Sequence, residues 1–303
     1  MMSLAVIDIG TNSTRLLIGE LNEDSIMKRR ECFTRSTRIG RDLSKRGYLC
    51  PVGTVKTLAA LKEYKCIIED RGIKNFVIVG TNALREARNS SDFIDEVKGV
   101  MGFKVVILSA EEEAGLSAMG ALISLCSNPR HTTALFVDIG GGSTEIALWK
   151  EDKTKKNISL PLGAVRCFEG SYSREKIKKI LLESLKHFSV EKGTLMVGAG
   201  GTITSLAAVH KGLDPYDPDE VHGTLLLKDG IKEIGSYLSG LSLEKRKGVA
   251  GLEENRSDII LPGIMILLEI MEWFAIDEIT ASDRDLLDGL ALSYGSKKSS
   301  FFS

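Results

Sequence analysis

Short apolar runs separated by glycine and small polar residues dominate the pattern of the chain. The runs Leu4–Ile9 and Arg15–Leu21 have strand length, and the turn residues between them predict a β-hairpin. The same pattern returns at Ala134–Val137 and Ile146–Trp149, on either side of three consecutive glycines. Each half of the chain therefore opens with a predicted hairpin.

Further apolar runs alternate with segments of helical periodicity. Hairpin strands followed by strands that alternate with helices predict the α/β class, with mixed sheets flanked by helices. Segments 37–53 and 213–223 are predicted to be loops, and 244–255 is a charged connection. The other predicted strands are Met27–Thr34, Val77–Val79, Lys104–Leu108, Asn157–Leu162, part of 193–201 and Glu278–Thr280. The predicted helices are Pro51–Arg71, Asn82–Met101, Ser109–Leu125, Phe168–Phe188, Leu227–Leu238, Ile259–Phe274, Arg284–Tyr294 and one that begins at Thr202.

Two phrases occur once in each half of the chain. Asp-Ile-Gly-x-x-Ser-Thr follows an apolar strand at 8–14 and again at 138–144. A buried strand with a glycine turn and a helix start occurs at 76–85 and again at 195–206. Similarity at this separation indicates a duplicated domain rather than an array of short repeats. If the two copies face each other, four turns suited to phosphate line one cleft.

The turn at Gly140–Ser143 has the composition of an anion-binding site. Glycines expose backbone N–H groups to a ligand, and Ser143 and Thr144 add hydroxyl donors. The carboxylates of Asp138 and Glu145 repel phosphate unless a hard cation such as Mg²⁺ lies between them. The stretch therefore predicts a phosphate site with a metal. An ordinary hairpin turn that requires glycine is the alternative.

The composition is that of an ordinary globular protein. Of the 303 residues, 43% are apolar and 27% are charged, and the net charge is −1. This balance argues against a general nucleic-acid or membrane-surface binder. The longest apolar segment, Ile259–Ile276, contains Pro262 and two glutamates, which favours a core helix over a membrane span. The chain runs directly into its first strand, so we expect no signal peptide.

Cysteine and histidine usage indicates neither disulfides nor zinc. The five cysteines are odd in number, scattered and never in CxxC spacing, which favours reduced thiols in the cytoplasm. The four histidines show no metal-ligand spacing, and we interpret them as structural or surface residues. The residues concerned are Cys32, Cys50, Cys66, Cys126 and Cys167, and His131, His187, His210 and His222.

A cationic stretch lies between the first hairpin and the first long helix. It contains Arg35, Arg38, Arg41, Lys45 and Arg46. Beside an anion site such a stretch would recruit a polyanion, whereas most charge runs are only solvated surface. Both interpretations stay open from the sequence.

Seven blocks are distributed along the chain in a fixed order. They are Asp8-Ile9-Gly10-Thr11-Asn12-Ser13, Thr81-x-Ala83-Leu84-Arg85, Glu112-Glu113-Ala114, Asp138-Ile139-Gly140-Gly141-Gly142-Ser143-Thr144-Glu145, Leu162-Gly163-Ala164-Val165-Arg166, Gly198-x-Gly200-Gly201-Thr202 and Arg256-x-Asp258-Ile259. In these blocks the chain resembles the exopolyphosphatase and guanosine pentaphosphate phosphohydrolase family, part of the actin, sugar kinase and Hsp70 superfamily. The resemblance implies two duplicated ribonuclease H-like (actin-like ATPase) lobes with an interlobe cleft. We expect an N-terminal lobe of residues 1–123 with 287–303, and a C-terminal lobe of residues 124–286.

The resemblance also implies an activity. Members of the family release terminal phosphate from inorganic polyphosphate, or the 5′ γ-phosphate of guanosine pentaphosphate, with a divalent metal, here expected to be Mg²⁺ or Mn²⁺. Two departures are visible: Ala110 stands where the family usually has glycine, and Leu286-Leu287-Asp288-Gly289 stands where a Leu-Arg-Glu-Gly block is common. We expect the short form of the family, without its helical C-terminal extension, and a homodimer as a family-level possibility.

The blocks assign expected roles to individual residues. Glu113 is the expected general base, and Asp138 and Arg85 are the other expected catalytic residues. Metal is expected at Asp8, Asp138 and Glu145. Purely structural roles are the alternative. The acids at 111–113 suit the dipole of their helix, and Arg85 and Arg256 each have acids nearby. The expected phosphate-binding residues are Thr11, Asn12, Ser13, Gly140, Gly141, Gly142, Ser143, Gly200, Gly201, Thr202 and Arg256.

Three classes of function follow. The leading expectation is a phosphoanhydride hydrolase. A phosphotransferase is the first alternative, because related folds use an acidic base to activate an acceptor hydroxyl. A non-catalytic alarmone-binding regulator or an actin-like filament protein is the second, although an intact Glu113 argues against an inactive sensor. Neither a nucleic-acid polymer nor a membrane is an expected partner.

Overall fold

The computed structural model describes residues 2–22, 27–125, 133–150 and 153–295. It divides into two compact units, one of Met1–Gly120 with Leu286–Ser303 and the other of Ala121–Asp285. The boundaries expected from the sequence, after residues 123 and 286, lie next to these divisions. Cys126 and His131 fall outside the described residues.

Unit 1 contains a five-stranded sheet in the order β3-β2-β1-β4-β5. Its first three strands are antiparallel, and β4 and β5 run parallel to β1. The strands are β1 (Met2–Ile9), β2 (Ser13–Leu21), β3 (Met27–Ser36), β4 (Asn75–Gly80) and β5 (Val106–Ile107). The helices are α1 (Leu43–Arg46), α2 (Pro51–Asp70), α3 (Asn82–Glu86), α4 (Ser90–Met101), α5 (Ala110–Leu125, of which 110–120 belong to unit 1) and α13 (Leu286–Gly295).

Strand β1 is buried on both faces, which explains its unbroken apolar sequence. Ile7 packs in one core cluster with Leu61 and Tyr64 of α2. The next position, Val6, faces a second cluster that includes Leu287 of α13. Because successive strand residues point to opposite faces, helices are needed on both sides of the sheet. Helix α13 therefore belongs to unit 1 although it is far away in sequence.

Unit 2 contains a six-stranded sheet in the order β10-β11-β9-β6-β7-β8. Its strands are β6 (Ala134–Ile139), β7 (Thr144–Lys150), β8 (Lys153–Leu160), β9 (Leu195–Ala199), β10 (Leu225–Leu227) and β11 (Glu278–Ala281). The helices are α6 (Ala164–Glu169), α7 (Arg174–Leu185), α8 (Gly201–Lys211), α9 (Pro218–Val221), α10 (Lys228–Ser239), α11 (Leu243–Lys247) and α12 (Ile260–Trp273), with a 3₁₀ turn at Glu254–Arg256. No helix in the described ranges combines the length and hydropathy that a membrane-spanning segment needs.

The two sheets share one strand arrangement. The order β3-β2-β1-β4 in unit 1 corresponds to β8-β7-β6-β9 in unit 2, with antiparallel hairpins followed by a parallel strand in both. The repeat read from the two Asp-Ile-Gly phrases is therefore a repeat of three-dimensional structure. The expected mixed α/β fold with two sheets flanked by helices is confirmed.

Several local predictions were wrong. The helix expected at Phe168–Phe188 is two helices, because Ser171 has a φ of 48° and Ser173 caps α7 by accepting from the Lys176 N–H. Asn82–Met101 is likewise interrupted between α3 and α4. The strand expected at Lys104–Leu108 is reduced to two residues, and β10 was missed, since three residues at a sheet edge carry little pattern. The predicted loops at 37–53 and 213–223 contain the short helices α1 and α9, and the connection 244–255 contains α11.

Candidate active site

The turns of the two hairpins have the same backbone geometry. In unit 1 the Gly10 N–H donates to the Ser13 carbonyl at 3.0 Å, and in unit 2 the Gly140 N–H donates to the Ser143 carbonyl at 3.0 Å. A carboxylate residue, Asp8 or Asp138, comes two positions before each glycine. The identical closure places corresponding donors at the same point of each unit.

Each turn uses its carbonyl groups to hold a neighbouring segment. The Asn12 carbonyl accepts from the N–H groups of Thr37 and Arg38 at 3.1 and 2.9 Å. In unit 2 the Gly141 carbonyl accepts from Val165 and Arg166 at 2.9 and 3.0 Å. The turn carbonyls are thus directed into the protein in both units.

The N–H groups of the turns remain for a ligand. Within the described ranges, three successive N–H groups in each turn take no part in the backbone–backbone hydrogen bonds of the turns and loops. Successive unused N–H groups form an anion-binding concavity. The groups belong to Thr11, Asn12 and Ser13 in unit 1, and to Gly141, Gly142 and Ser143 in unit 2.

Glycine is required where α6 meets the second turn. A Cβ atom on Gly163 would lie 2.4 Å from the Gly141 carbonyl oxygen. Only glycine permits this approach, which brings the first N–H groups of α6 onto the turn. The Leu162–Arg166 block therefore supports the geometry of the Gly140–Ser143 turn.

The carboxylates of the hairpins have different cross-strand partners. Asp8 lies opposite Arg15, whose Nη2 is 2.9 Å from Asp8 Oδ2. At the corresponding place in unit 2, Asp138 lies opposite a second carboxylate, Glu145. Glu145 is buried and accepts a hydrogen bond from the Ser159 hydroxyl at 2.9 Å. The oxygen donors that a hard cation prefers are therefore paired in unit 2, whereas Asp8 already has a cationic partner.

No larger ligand cluster accompanies these carboxylates. Among the described residues, no group of three or more His, Cys, Asp and Glu side chains is arranged to hold a metal ion. Mg²⁺ is usually held by one or two carboxylates together with substrate phosphates and water. The Asp138–Glu145 pair fits that mode of binding.

The turn between β9 and α8 lies against Asp138. Gly200 has a φ of +83°, and a Cβ atom there would be 2.5 Å from Asp138 Oδ1. At the next position, a Cβ atom on Gly201 would be 1.4 Å from Nη1 of Arg256. The Arg256 guanidinium thus covers the N-terminus of α8, where the helix dipole already favours an anion.

Arg256 also forms an ion pair with an acid, which agrees with the structural role considered for it from the sequence. Its Nε is 2.5 Å from Glu253 Oε2. The Arg256 guanidinium and the N-terminus of α8 nevertheless lie together in unit 2, and both are electropositive. A phosphate group would relieve their mutual repulsion.

Glu113 is held by Arg85 in unit 1. Arg85 Nη1 is 2.8 Å from Glu113 Oε2, and both side chains are largely buried. The preceding acid, Glu112, has different partners. Its carboxylate accepts from the Ser109 backbone N–H at 2.8 Å, and its own backbone N–H donates to the Ser109 hydroxyl at 3.2 Å. This reciprocal capping box occupies Glu112 at the helix start. Of the two, Glu113 is the carboxylate directed to Arg85.

Two supporting residues were not found from the sequence. Asn82 is buried at the start of α3, and its amide donates to Glu86 at 2.9 Å. Ser159 supports Glu145 from β8. Their polar side chains carry no spacing signal, and their neighbours depend on strand register and chain packing. Arg35 does not join the other cations of its segment, because it pairs with Glu63 of α2.

Together, the fold and these turns define an α/β protein made by duplication of one unit that opens with a glycine-containing hairpin. The chain belongs to the Ppx/GppA phosphatase family, whose model matches residues 25–297. The resemblance noted in the seven sequence blocks is confirmed.

Curated relatives match almost the whole chain. It is 33% identical over 308 residues to the bifunctional 3-dehydroquinate synthase/phosphatase of Fusobacterium nucleatum, covering 95% of this chain and 46% of that protein. Exopolyphosphatase 2 of Mycobacterium tuberculosis is 29% identical over 316 residues, covering 96% and 98% of the two chains. The guanosine-5'-triphosphate,3'-diphosphate pyrophosphatase of Vibrio vulnificus is 27% identical over 301 residues, covering 95% and 58%. The chain therefore spans about half the length of the first and third of these relatives and nearly all of the second.

A solved structure of the family has the same fold. The Ppx/GppA family member of Aquifex aeolicus superimposes with a TM-score of 0.81 at 31% identity, covering 98% of both chains. The two-unit α/β architecture is thus the architecture of the family.

Proposed function

We propose that this protein is a phosphoanhydride hydrolase that releases terminal phosphate from inorganic polyphosphate, the 5′ γ-phosphate of guanosine pentaphosphate, or both. The observation that carries the proposal is the Arg85–Glu113 pair at the start of α5, in a chain whose two hairpin turns each offer three N–H groups. Relatives named for each of the two substrates align with nearly all of this chain.

Glu113 has the role of general base. A carboxylate held at 2.8 Å by a guanidinium keeps a fixed direction from which to orient water and take its proton. The water oxygen then forms the new bond to the terminal phosphorus while the bond to the bridging oxygen breaks. The products are inorganic phosphate and a substrate shortened by one phosphate.

The glycine turns and Arg256 bind phosphate oxygens. Backbone N–H groups donate in directions set by the turn and need no rearrangement during reaction. Arg256 adds a planar fork suited to phosphate. We assign Thr11–Ser13, Gly141–Ser143 and Gly200–Thr202 to this role in their respective units. Gly140, expected from the sequence to join them, uses its N–H to close the turn onto the Ser143 carbonyl and shapes the site instead.

Asp138 and Glu145 are the proposed residues for Mg²⁺ or Mn²⁺. Such an ion supplies neutralisation of negative charge on the phosphate oxygens. Asp8, expected from the sequence to join them, has Arg15 as its direct partner, so we assign it a supporting role in the first turn.

A phosphotransferase is the second candidate. Acidic bases of this kind also activate acceptor hydroxyl groups, so the pair Arg85–Glu113 alone does not distinguish the reactions. A phosphotransferase requires an acceptor other than water for turnover, and a regulator binds its ligand without turnover.

The decisive experiment measures phosphate release from polyphosphate and guanosine pentaphosphate with Mg²⁺. We expect Glu113→Gln to lower kcat by about 10²–10⁴-fold, the usual contribution of a general base. Glu111→Gln is the matched control, because it removes an equal charge from an exposed position of the same helix turn. Release that is equal in the two variants, or absent from wild-type protein that binds both ligands, would overturn the hydrolase proposal.

A further inference from the structure

Five cationic residues lie on α1 or next to it in unit 1: Arg38, Arg41, Lys45, Arg46 and Arg88. We call them the basic surface. Arg88 joins the others because its backbone N–H donates to the Gly47 carbonyl at 3.0 Å and its guanidinium lies 5.7 Å from the Tyr48 ring centroid. The cations are thus gathered from two separate parts of the chain.

The basic surface is attached directly to the first anion-binding turn. The backbone N–H of Arg38 donates to the Asn12 carbonyl, and the backbone N–H of Gly40 donates to the Thr11 carbonyl at 3.0 Å. A Cβ atom on Gly40 would lie 2.4 Å from Thr11 Cγ2, so the backbone is in close contact with the turn. Arg38 and Asp42 have φ values of 51° and 57°, which shows a specific left-handed conformation at both residues.

Charge compensation is weak at three cations of the basic surface, Arg41, Lys45 and Arg46. Asp42 is the one acidic residue in segment 38–47, and it lies 3.8 Å from Arg46, whose side chain is 68% exposed. Arg41 and Lys45 are exposed and form no ion pair with any described residue. Such a patch attracts an extended anion more strongly than a single compact one, because several charges act together.

We propose that the basic surface binds internal phosphates of long-chain inorganic polyphosphate, next to a terminal portion bound at the Thr11–Ser13 turn. This inference rests on the function proposed above and names the chain-binding part of the same site. Inorganic polyphosphate repeats its charge along its length, so one chain can contact the turn and the cations beyond it. Guanosine pentaphosphate carries its phosphates on one nucleoside and lacks that repeated extension.

The test is equilibrium binding of three probes to Glu113→Gln protein, in which turnover does not interfere. The probes are long-chain polyphosphate, tripolyphosphate and guanosine pentaphosphate. Removing three exposed cations with R41A/K45A/R46A is expected to weaken long-chain binding by about tenfold, since exposed charges each contribute modestly. Binding of the two compact probes is expected to change less than about twofold, and the loss for the long chain should shrink at high salt.

The matched control is K62A/K74A/K98A, which removes three exposed lysines elsewhere in unit 1. An equal loss in the control, no loss in R41A/K45A/R46A, or an equal loss for all three probes would overturn the inference. Phosphate release by wild-type protein is measured separately. Failure of hydrolysis therefore counts against the proposed function, whereas failure of chain-selective binding counts against the basic surface.

Discussion

Nη1 of Arg85 donates to the Glu113 carboxylate at 2.8 Å and to the Leu108 carbonyl oxygen at 2.9 Å. One nitrogen thus connects the end of β5 to the first turn of α5. Removal of the guanidinium would take this donor from both the Glu113 carboxylate and the Leu108 carbonyl oxygen. Arg85 therefore acts as a positioning residue for Glu113, in addition to any contact with phosphate.

Arg85→Ala is expected to lower kcat by about 10²-fold with a smaller change in KM, because misplacing the base impairs the reaction more than binding. Arg85→Lys should recover part of that rate, since an ammonium group reaches one acceptor but lacks the planar fork. Steady-state phosphate release gives both constants. Arg71→Ala is the control, because Arg71 pairs with Glu31 in a more exposed ion pair. Loss of rate in the control as large as in Arg85→Ala would contradict the positioning role.

Gly201→Ala should impair activity without unfolding the protein. The added methyl group collides with the flexible end of Arg256, which can move away, so we expect a Tm within about 2 °C of wild type. Displacing the guanidinium should raise KM for phosphate substrates by about tenfold, the order expected for a charge-assisted hydrogen bond. Thermal unfolding and steady-state kinetics check the two parts.

Gly163→Ala provides the contrast. Its added methyl group meets the backbone of Gly141, which cannot move without distorting the turn. We expect loss of both activity and stability, with destabilisation of about 1–3 kcal/mol, as for other overpacked sites. Gly99→Ala controls for the substitution itself. Its position in α4 has open space, so we expect stabilisation of about 0.5–1 kcal/mol relative to glycine.

Glu145→Gln is expected to raise the Mg²⁺ concentration needed for half-maximal activity by about tenfold or more, because a carboxylate ligand becomes a neutral amide. Ser159→Ala should cause a smaller shift in the same direction, since it removes only the hydroxyl that orients Glu145. Mg²⁺ titrations of activity, with Mn²⁺ binding as an independent measurement, test this. Glu183→Gln, an exposed acid on α7, is the control. Unchanged metal dependence in Glu145→Gln would remove this residue from the metal site.

Because the Cys167 thiol is buried, we expect the folded protein to lose stability at alkaline pH. Burial raises the pKa of its thiol to about 11, above the ordinary value of 9.0. The thiol therefore ionises at lower pH in the unfolded chain than in the folded protein. Its contribution to the free energy of unfolding is fully present below about pH 9 and is lost as the pH rises to about 11. We expect the free energy of unfolding to fall by on the order of 2 kcal/mol across this window.

Denaturant unfolding as a function of pH measures the Cys167 effect. Cys167→Ala should lack this part of the alkaline decline, whereas Cys66→Ala, which removes an exposed thiol, should retain it. Thiol labelling gives a second readout. Cys32 and Cys66 should react in the native protein, and Cys167 should react only after unfolding.

The sequence by itself determined the duplicated fold and the residue types of the turns. Short apolar runs, the glycines between them and the two Asp-Ile-Gly phrases are local signals, because strand burial and turn conformation constrain neighbouring residues directly. Local signals also predicted a helix from Ser109, one residue before α5 begins. They failed for β10 and for the break between α6 and α7, where short elements depend on their neighbours.

Tertiary structure decided which charges meet. Asp8 and Asp138 occupy the same place in the repeated phrase, and the same hairpin register sets Arg15 opposite Asp8 and Glu145 opposite Asp138. Packing likewise joined Arg85 to Glu113 and left Glu112 to the helix cap. Pairings across 28 or more residues, such as Arg85 with Glu113, depend on how strands and helices come together. Ionic and hydrogen-bond partners form over a few ångströms in space, and spacing along a chain does not encode that distance.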